Sequence, residues 1–442
     1  MRKTRHEVRD GLYGFIEFDN LDRALIDSKP FQRLRNIHQL AMTYQVYPGA
    51  THRRFEHALG VMDCAGRIFD VLFRDHLSDA VRERTASELE DGGKAYWRRV
   101  VRLGALLHDV GHLPFSHAAE EELLPKGWNH ERITAEIIRS GEIADILKNT
   151  RPQIDPEDVV DVCWDVRKRS KVENKVLTPL KALLNEIITG NTFGADRIDY
   201  LLRDSWHVGV AYGRFDPERL IRSLRVVIDP NTEEVALGLD HGGIHAAEGL
   251  LLARYFMYTQ VYFHDVRRSY DIHLKDFLKA WLPGGIFPTD LTKFLQWSDN
   301  EILAGLWTAA VDASAGCHEL AVRVLERKHF RTVFELNPSH MRHPKVLDDL
   351  HTFAQNEFGS ENVRVDFYGP KAEFSEFWVD IGEDRPINSL EVSDVIARIP
   401  PFEIGMIFVD PSKKDQAVKK VRAKFDELLA DKKSEGEEGC KT

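Results

Sequence analysis

Cysteine is scarce in this sequence: four residues, Cys64, Cys163, Cys317 and Cys440, stand far apart with no CxxC spacing. That pattern indicates neither a disulfide framework nor a cysteine zinc site, and it fits a reducing compartment. No apolar run reaches the roughly 18 residues that a membrane helix needs, and the basic stretch MRKTRHEVRDG leads into no apolar core. Neither a membrane span nor a signal peptide is expected, and the chain reads as cytoplasmic with no membrane partner. An excess of positive charge is missing too. The net charge of -11 argues against a broad electrostatic grip on nucleic acid, which leaves a local basic funnel as the route to a polynucleotide. No segment repeats at a fixed period.

What is present is a globular composition, 43% hydrophobic and 30% charged, in 442 residues that have room for one large domain with an appendage. GLYGFIEF reads as a short hairpin, and RVVID, the turn Pro230-Asn231-Thr232 and EVALGLD as a second. Helical periodicity predicts an amphipathic helix over FQRLRNIHQL and another over THRRFEHALGVMDCAGRIFDVLF. A solvated helix or insertion is expected over 75–98, a helix at HERITAEIIRS capped by Asn129, one at ADRIDYLLRDSWH, and a long helix over roughly 244–280. Beyond about 326 the β-like runs TVFEL, VRVDFY, FWVDI and IGMIFVD alternate with helical segments. The expected architecture is mostly α. It has a helical core with small β-hairpins over 1–325, a small α+β C-terminal lobe over 326–430, and a disordered tail over 431–442.

The segment VRLGALLHDVGHLPFSH runs an apolar helix pattern straight into His108 and Asp109, with His112 and His117 following past a glycine and a proline. Buried His and Asp are costly unless paired, and a hard or borderline cation pairs with both. His57, His108, Asp109 and Asp196 together suit Mn, Mg, Fe, Ni or Zn and leave positions for water and phosphate oxygens, which implies metal-assisted hydrolysis. Taken alone, the His108-Asp109 pair also suits a helix C-terminal cap, and Asp199 competes with Asp196 as the ligand. One of His112, His117 and His130 is the expected general acid, because histidine titrates near neutrality. For His117 and His130 singly, a structural role stays open. Asp196, Tyr200 and Asp204 recur at i, i+4 and i+8 on one helix face with Arg197 beside them, a set that can line a nucleotide from phosphates to sugar. Arg54 can hold a phosphate bidentately. Arg254, Tyr258 and Tyr262 form a helical stripe, and on spacing alone the two tyrosines read as core.

The blocks FQRLRNIHQL, YPGATHRRFEHALG, LLHDVGHLPFSH, NHE and DRIDYLLRDSWH, in that order, resemble the HD-domain deoxynucleoside triphosphate triphosphohydrolases. The likeness covers most of residues 6–275, and bacterial and archaeal HD phosphohydrolases of this type share the blocks. It implies an HD-domain helical catalytic core with His57, His108, Asp109 and Asp196 as ligands of a divalent metal. Arg54 and Arg197 match phosphate contacts, the latter where relatives often carry Lys. His112, His117 and His130 match positions near the scissile bond, with His117 as general acid and Glu131 as its partner. Gln39, Leu40, Tyr200 and Asp204 match positions that read the sugar and reject a 2′-hydroxyl. Tyr262 matches the residue that stacks on the base, which overrides its core reading, while Tyr258 replaces a family His.

The implied reaction splits a dNTP into deoxynucleoside and inorganic triphosphate, with water attacking the α-phosphorus. The implied partners are the dNTP, further copies of the chain in a dimer or tetramer, and an activating nucleotide. For the activator, Asp27, Gln32, Arg35 and Arg219 match positions that read a guanine nucleotide. Asp265 stands where such relatives have a phosphate-binding Lys, and a carboxylate there repels a triphosphate. Two other functions fit the same centre: a nuclease or phosphodiesterase acting on single strands or another phosphorylated metabolite, and a non-catalytic nucleotide-binding regulator. Gln39, Tyr200, Asp204 and Tyr262 favour the mononucleotide.

Overall fold

Asp10 turns the first hairpin. Its Oδ1 accepts the N–H of Leu12 at 2.8 Å and of Tyr13 at 3.0 Å, so β1 (Arg5–Asp10) and β2 (Gly14–Asp19) pair antiparallel from Asp10 and Gly14 outward. The hairpin therefore starts before GLYGFIEF. The structure is a computed structural model and describes residues 5–74, 77–90, 92–115, 120–337, 345–369, 376–383 and 385–438.

Helix α1 (Arg54–Leu72) is buried on nearly every side, through Phe55, Ala58, Val61, Met62, Cys64, Ala65, Ile68 and Phe69, as befits a central helix. It packs chiefly on α2 (Gly93–Leu107), whose Leu103, Ala105, Leu106 and Leu107 are fully buried. Each such leucine contributes roughly 1.5–3 kcal/mol relative to exposure. Around this pair lie α3 (His130–Arg139), α4 (Pro156–Cys163), α5 (Pro179–Thr189) and α6 (Ala195–Val208). Their starts obey local chemistry: Asn129 accepts Arg132 N–H at 2.8 Å, and Asp155 accepts Glu157 N–H at 2.9 Å before Pro156. Then come β3 (Leu224–Ile228), β4 (Val235–Asp240) and α7 (Ile244–Met257).

Downstream are α8 (Asp265–Trp281), β5 (Arg331–Glu335), α9 (Val346–Phe358), β6 (Val363–Tyr368) and β7 (Trp378–Asp380). The chain closes with β8 (Ile387–Asn388), β9 (Ile404–Val409) and α10 (Lys414–Glu438). The strands form the β1-β2 hairpin, the sheet β3-β4-β7-β8 and the sheet β5-β9-β6. The fold is mostly α, with a helical core, small hairpins and an α+β C-terminal region.

Two compact units result. One comprises Met1–Met257, Leu282–Leu303 and Glu373–Pro400; the other comprises Tyr258–Trp281, Ala304–Ala372 and Pro401–Thr442. This division differs from a single cut near 325. Strand β7, from FWVDI, pairs in parallel with β4 of the first unit, and α8 packs on β5 and the helix His318–Leu325 of the second.

Other elements also depart from expectation. FQRLRNIHQL is not one helix: Lys29–Gln32 passes into a 3-10 turn, Arg33–Asn36, and His38 bridges to Arg53. The polar groups of Arg33 and His38 go to distant partners instead. The long helix over 244–280 breaks at a π-helical turn, Tyr258–Tyr262. Residues 93–98 of the charge-rich stretch open the buried helix α2, after a separate helix Asp79–Leu89. Helix α10 continues to Glu438, into the stretch expected to be a disordered tail. No helix among the described residues is long and apolar enough to cross a membrane.

Candidate metal centre

Three elements bring the metal candidates together. His57 lies in the first turns of α1, His108 at the C-terminal end of α2, and Asp196 in the first turn of α6. One ligand atom from each lies within 4.8 Å of the others. His57 Nε2 is 3.1 Å from Asp196 Oδ1, and His108 Nε2 is 3.6 Å from the same oxygen. Asp109 stands beside them, 3.2 Å from His108 Nε2 and 3.8 Å from His57 Nε2.

The other imidazole nitrogens are anchored. His57 Nδ1 donates to Asp199 Oδ1 at 2.7 Å, and His108 Nδ1 donates to the Ala105 carbonyl at 2.7 Å. Both anchors aim Nε2 at the carboxylates; in the metal-free protein His57 Nε2–H donates to Asp196 Oδ1 at 3.1 Å, and loss of that proton leaves the tautomer that a metal ligand requires. His108 Nε2 is buried with no hydrogen-bond partner, an orphan that a cation satisfies. Two anchored imidazoles with two carboxylates therefore fit a divalent metal of borderline character. Asp199 is the buried hydrogen-bond partner of His57 Nδ1, on the side of the ring away from the ligand candidates. It also grips Arg203 through both oxygens, at 2.8 and 2.9 Å, and Arg203 reaches Asp10 at 2.9 Å. Gly60 makes room for this pair, since a Cβ there would lie 2.0 Å from Asp199 Oδ2.

Charge follows the geometry. Burial disfavours a charged His57, but hydrogen bonds to Asp196 and Asp199 outweigh it and raise the ring to about 10. Burial likewise pushes Asp196 up, yet His108 and His57 hold it well below the usual carboxylate range. Asp109 is held low against its burial by Arg54, His108 and His112. Arg54 contacts Asp109 Oδ2 directly, so the residue expected to hold a phosphate and a ligand candidate share an ion pair.

His112 Nε2 is 3.2 Å from Asp109 Oδ1, and the His112 ring stacks on that of His130 at 4.0 Å and 17°. The stack depends on Gly111, whose N–H donates to Thr134 Oγ1 at 3.0 Å and where a Cβ would meet Thr134 N at 2.3 Å. Burial, Arg54 and His130 push His112 well below its ordinary value. His130 moves the other way: burial opposes its charge, but Glu120, with both oxygens 2.8 Å from Nδ1, raises it. Two stacked imidazoles with oppositely displaced acidities are suited to separate proton-transfer roles. Glu131 pairs with Lys168 at 3.0 Å. His117 lies outside the described residues.

On α6, Arg197 Nε is 3.3 Å from the Tyr200 hydroxyl and its Nη1 donates to the Gly190 carbonyl at 3.0 Å. Asp204 is buried and binds His52 Nε2 at 2.7 Å. Gln39 and Leu40 are buried, and Gln39 Oε1 has no hydrogen-bond partner. Arg254 is buried in the first unit; Tyr258 and Tyr262 belong to the second, half-buried against a cluster that includes Phe263 and Phe402. Of the regulatory set, Arg35 donates to Gln32 at 2.8 Å, Asp27 pairs with Arg23, and Arg219 donates to the Gly242 carbonyl at 2.6 Å. Asp265 accepts from Thr332 at 2.7 Å. Glu120, Asp299, Arg33 and Lys168 also take part; Arg33 lies within FQRLRNIHQL, but no local spacing marks the pairings that these four residues make.

The HD domain profile matches residues 54–204, and the profile of the HD associated region matches residues 215–357. The chain belongs to the HD-domain family. It is 35% identical over 276 residues to the uncharacterized protein YwfO of Bacillus subtilis, covering 61% of this chain and 54% of that one. It is 30% identical over 301 residues to the deoxynucleoside triphosphate triphosphohydrolase SAMHD1 of Homo sapiens, covering 63% and 45%. The chain thus spans about half the length of these relatives. A solved structure of a hypothetical protein from Aquifex aeolicus superposes with a TM-score of 0.75 at 32% identity, covering 94% of this chain and all of the other.

Proposed function

We propose that this protein hydrolyses deoxynucleoside triphosphates to deoxynucleoside and inorganic triphosphate in a metal-dependent reaction. The convergence of His57, His108 and Asp196, with both imidazoles anchored through Nδ1, carries this reading. The similarity to the SAMHD1 triphosphohydrolases supports the choice of substrate. A divalent ion held by His57, His108 and Asp196, with Asp109 beside them, would supply Lewis acidity and lower the pKa of water.

The chain's own residues do the rest. Arg54 and Arg197 offset the phosphate charge, and displacing Arg54 from Asp109 is part of binding. His112, its basicity lowered by burial, Arg54 and His130, contributes a hydrogen bond beside the phosphate, while Glu120 favours the charged form of His130. His117 is assigned the donation of a proton to the leaving 5′-oxygen, with Glu131 orienting it. Gln39, Leu40, Tyr200 and Asp204 read the deoxyribose, and Arg254 completes the substrate set in the first unit.

The same reading includes a homo-oligomer, dimer or tetramer, which light scattering at several protein concentrations tests. An activating nucleotide bound by Asp27, Gln32, Arg35 and Arg219 would have to break the Arg35–Gln32 and Arg219–Gly242 bonds. Incubation with each dNTP, singly and in pairs, with Mn or Mg and full product analysis tests the activity. Release of deoxynucleoside and triphosphate, lost in His108→Ala, is expected; cleavage of oligonucleotides with no turnover of any dNTP sinks the proposal.

A further inference from the structure

Asp299 opens the helix Asp299–Val311, 184 residues downstream of Phe115, and is 1% exposed. Its Oδ2 accepts two bonds from one residue, the backbone N–H of His38 at 2.7 Å and the His38 Nδ1–H at 2.6 Å. Its Oδ1 accepts the N–H of Phe115 at 2.7 Å. The His38 and Phe115 rings lie nearly parallel, 5.8 Å apart at 8°. Arg33 adds a second tie beside the first, donating to the carbonyls of Trp297 at 2.6 Å and His112 at 2.8 Å.

The two segments tied this way are the one that carries Gln39 and Leu40 and the one that runs from His112 to Phe115. Each holds a non-glycine residue with left-handed backbone, Ala41 at φ 47° and Phe115 at φ 53°. Such residues persist where the surroundings over-determine them, and they gather at ligand clamps. Gln39 follows His38 directly, and its buried Oε1 has no hydrogen-bond partner, so an acceptor is left for a donor from outside the chain.

We infer that Asp299 is a positioning residue: it locks the Gln39 amide in register with the His112–Phe115 loop and so sets how tightly the sugar end of a deoxynucleotide is held. This rests on the dNTP reading above. In Asp299→Asn the amide must turn its Nδ2 toward His38 or Phe115, donor against donor, which breaks one tie.

Amide hydrogen exchange reads the clamp without any substrate. Faster exchange in both segments, 36–42 and 110–115, with Mn affinity unchanged supports it, and unchanged exchange in either segment overturns it. Steady-state kinetics on a dNTP reads the consequence. KM should rise about tenfold with kcat altered less than about threefold, and adding Gln39→Ala should raise KM no further. Additive effects on KM overturn the inference even where the wild type is active. A wild type that turns over no dNTP instead overturns the dNTP reading and leaves the exchange result to decide the clamp. If Asp299→Asn does not fold, His38→Phe, which keeps the ring stack and removes only the Nδ1–H, is read the same way.

Discussion

His57 and Asp199 meet at 2.7 Å, Nδ1 to Oδ1, and this contact decides which nitrogen of His57 faces the candidate metal centre. Asp199 is fully buried and is itself held by Arg203, which Asp10 holds in turn. The orientation of one candidate ligand is thus built into a chain of charges that runs from α6 to the first hairpin. Partners of this kind orient ligands and tune their basicity.

Replacing Asp199 tests that chain. Asp199→Asn should weaken Mn binding by ~10–100-fold in calorimetric titration while every ligand candidate stays in place. An affinity equal to wild type would show that His57 needs no such anchor.

Proton displacement is a second consequence. His57, raised from 6.5 to about 10, carries a proton through that window in the metal-free protein, and a cation must displace it. Metal affinity should therefore climb by about tenfold per pH unit across neutral and mildly alkaline pH, with proton release visible in buffers of different ionisation enthalpy. For the metal-free protein the sign is opposite. The stability owed to the raised value is complete below 6.5 and is lost as pH rises through about 10.

Gly60 is a third point of leverage. A Cβ there would lie 2.0 Å from Asp199 Oδ2 and 2.4 Å from Arg203 Nη2. Gly60→Ala should cost ~1–3 kcal/mol by overpacking and should lower metal affinity together with Tm. A variant as stable as wild type with normal metal binding would contradict the packing described.

Glu186 yields a pH prediction away from the metal. Burial raises its carboxyl to about 7, although its Oε2 accepts the Leu237 N–H of β4 at 2.7 Å, which acts the other way. A raised carboxyl contributes stability that is present below 4.5 and lost as pH rises through about 7. Glu186→Gln keeps an acceptor for Leu237 and removes the charge. Its Tm should exceed that of wild type by several degrees at pH 8 and match it near pH 4, as followed by thermal denaturation.

Much of this site was legible in the sequence because its chemistry is carried by rare residues at fixed places. His57, His108, Asp109 and Asp196 stand out as polar groups set into apolar helix patterns, and the α6 face carrying Asp196, Tyr200 and Asp204 follows from 3.6-residue periodicity alone. What was not legible depends on partners far away in the chain. The 3-10 turn and bridge at Arg33–His38 arise from bonds to Trp297 and Asp299, which no local pattern announces. Glu120 lies in an ordinary acidic run, and only the fold sets it on His130. The break at Tyr258–Tyr262 has no Gly or Pro to signal it. FWVDI reads as a strand of the C-terminal lobe until β7 is seen beside β4, since a strand's partner is not encoded in its own alternation.

The position of water attack is the most direct test of the central claim. Turnover of a dNTP with Mn in 18O-enriched water, followed by mass spectrometry of the products, should place one label in the inorganic triphosphate and none in the deoxynucleoside, with no reaction in His57→Ala or Asp196→Ala. Label in the deoxynucleoside, release of pyrophosphate with a nucleoside monophosphate, or full activity in those variants would contradict it.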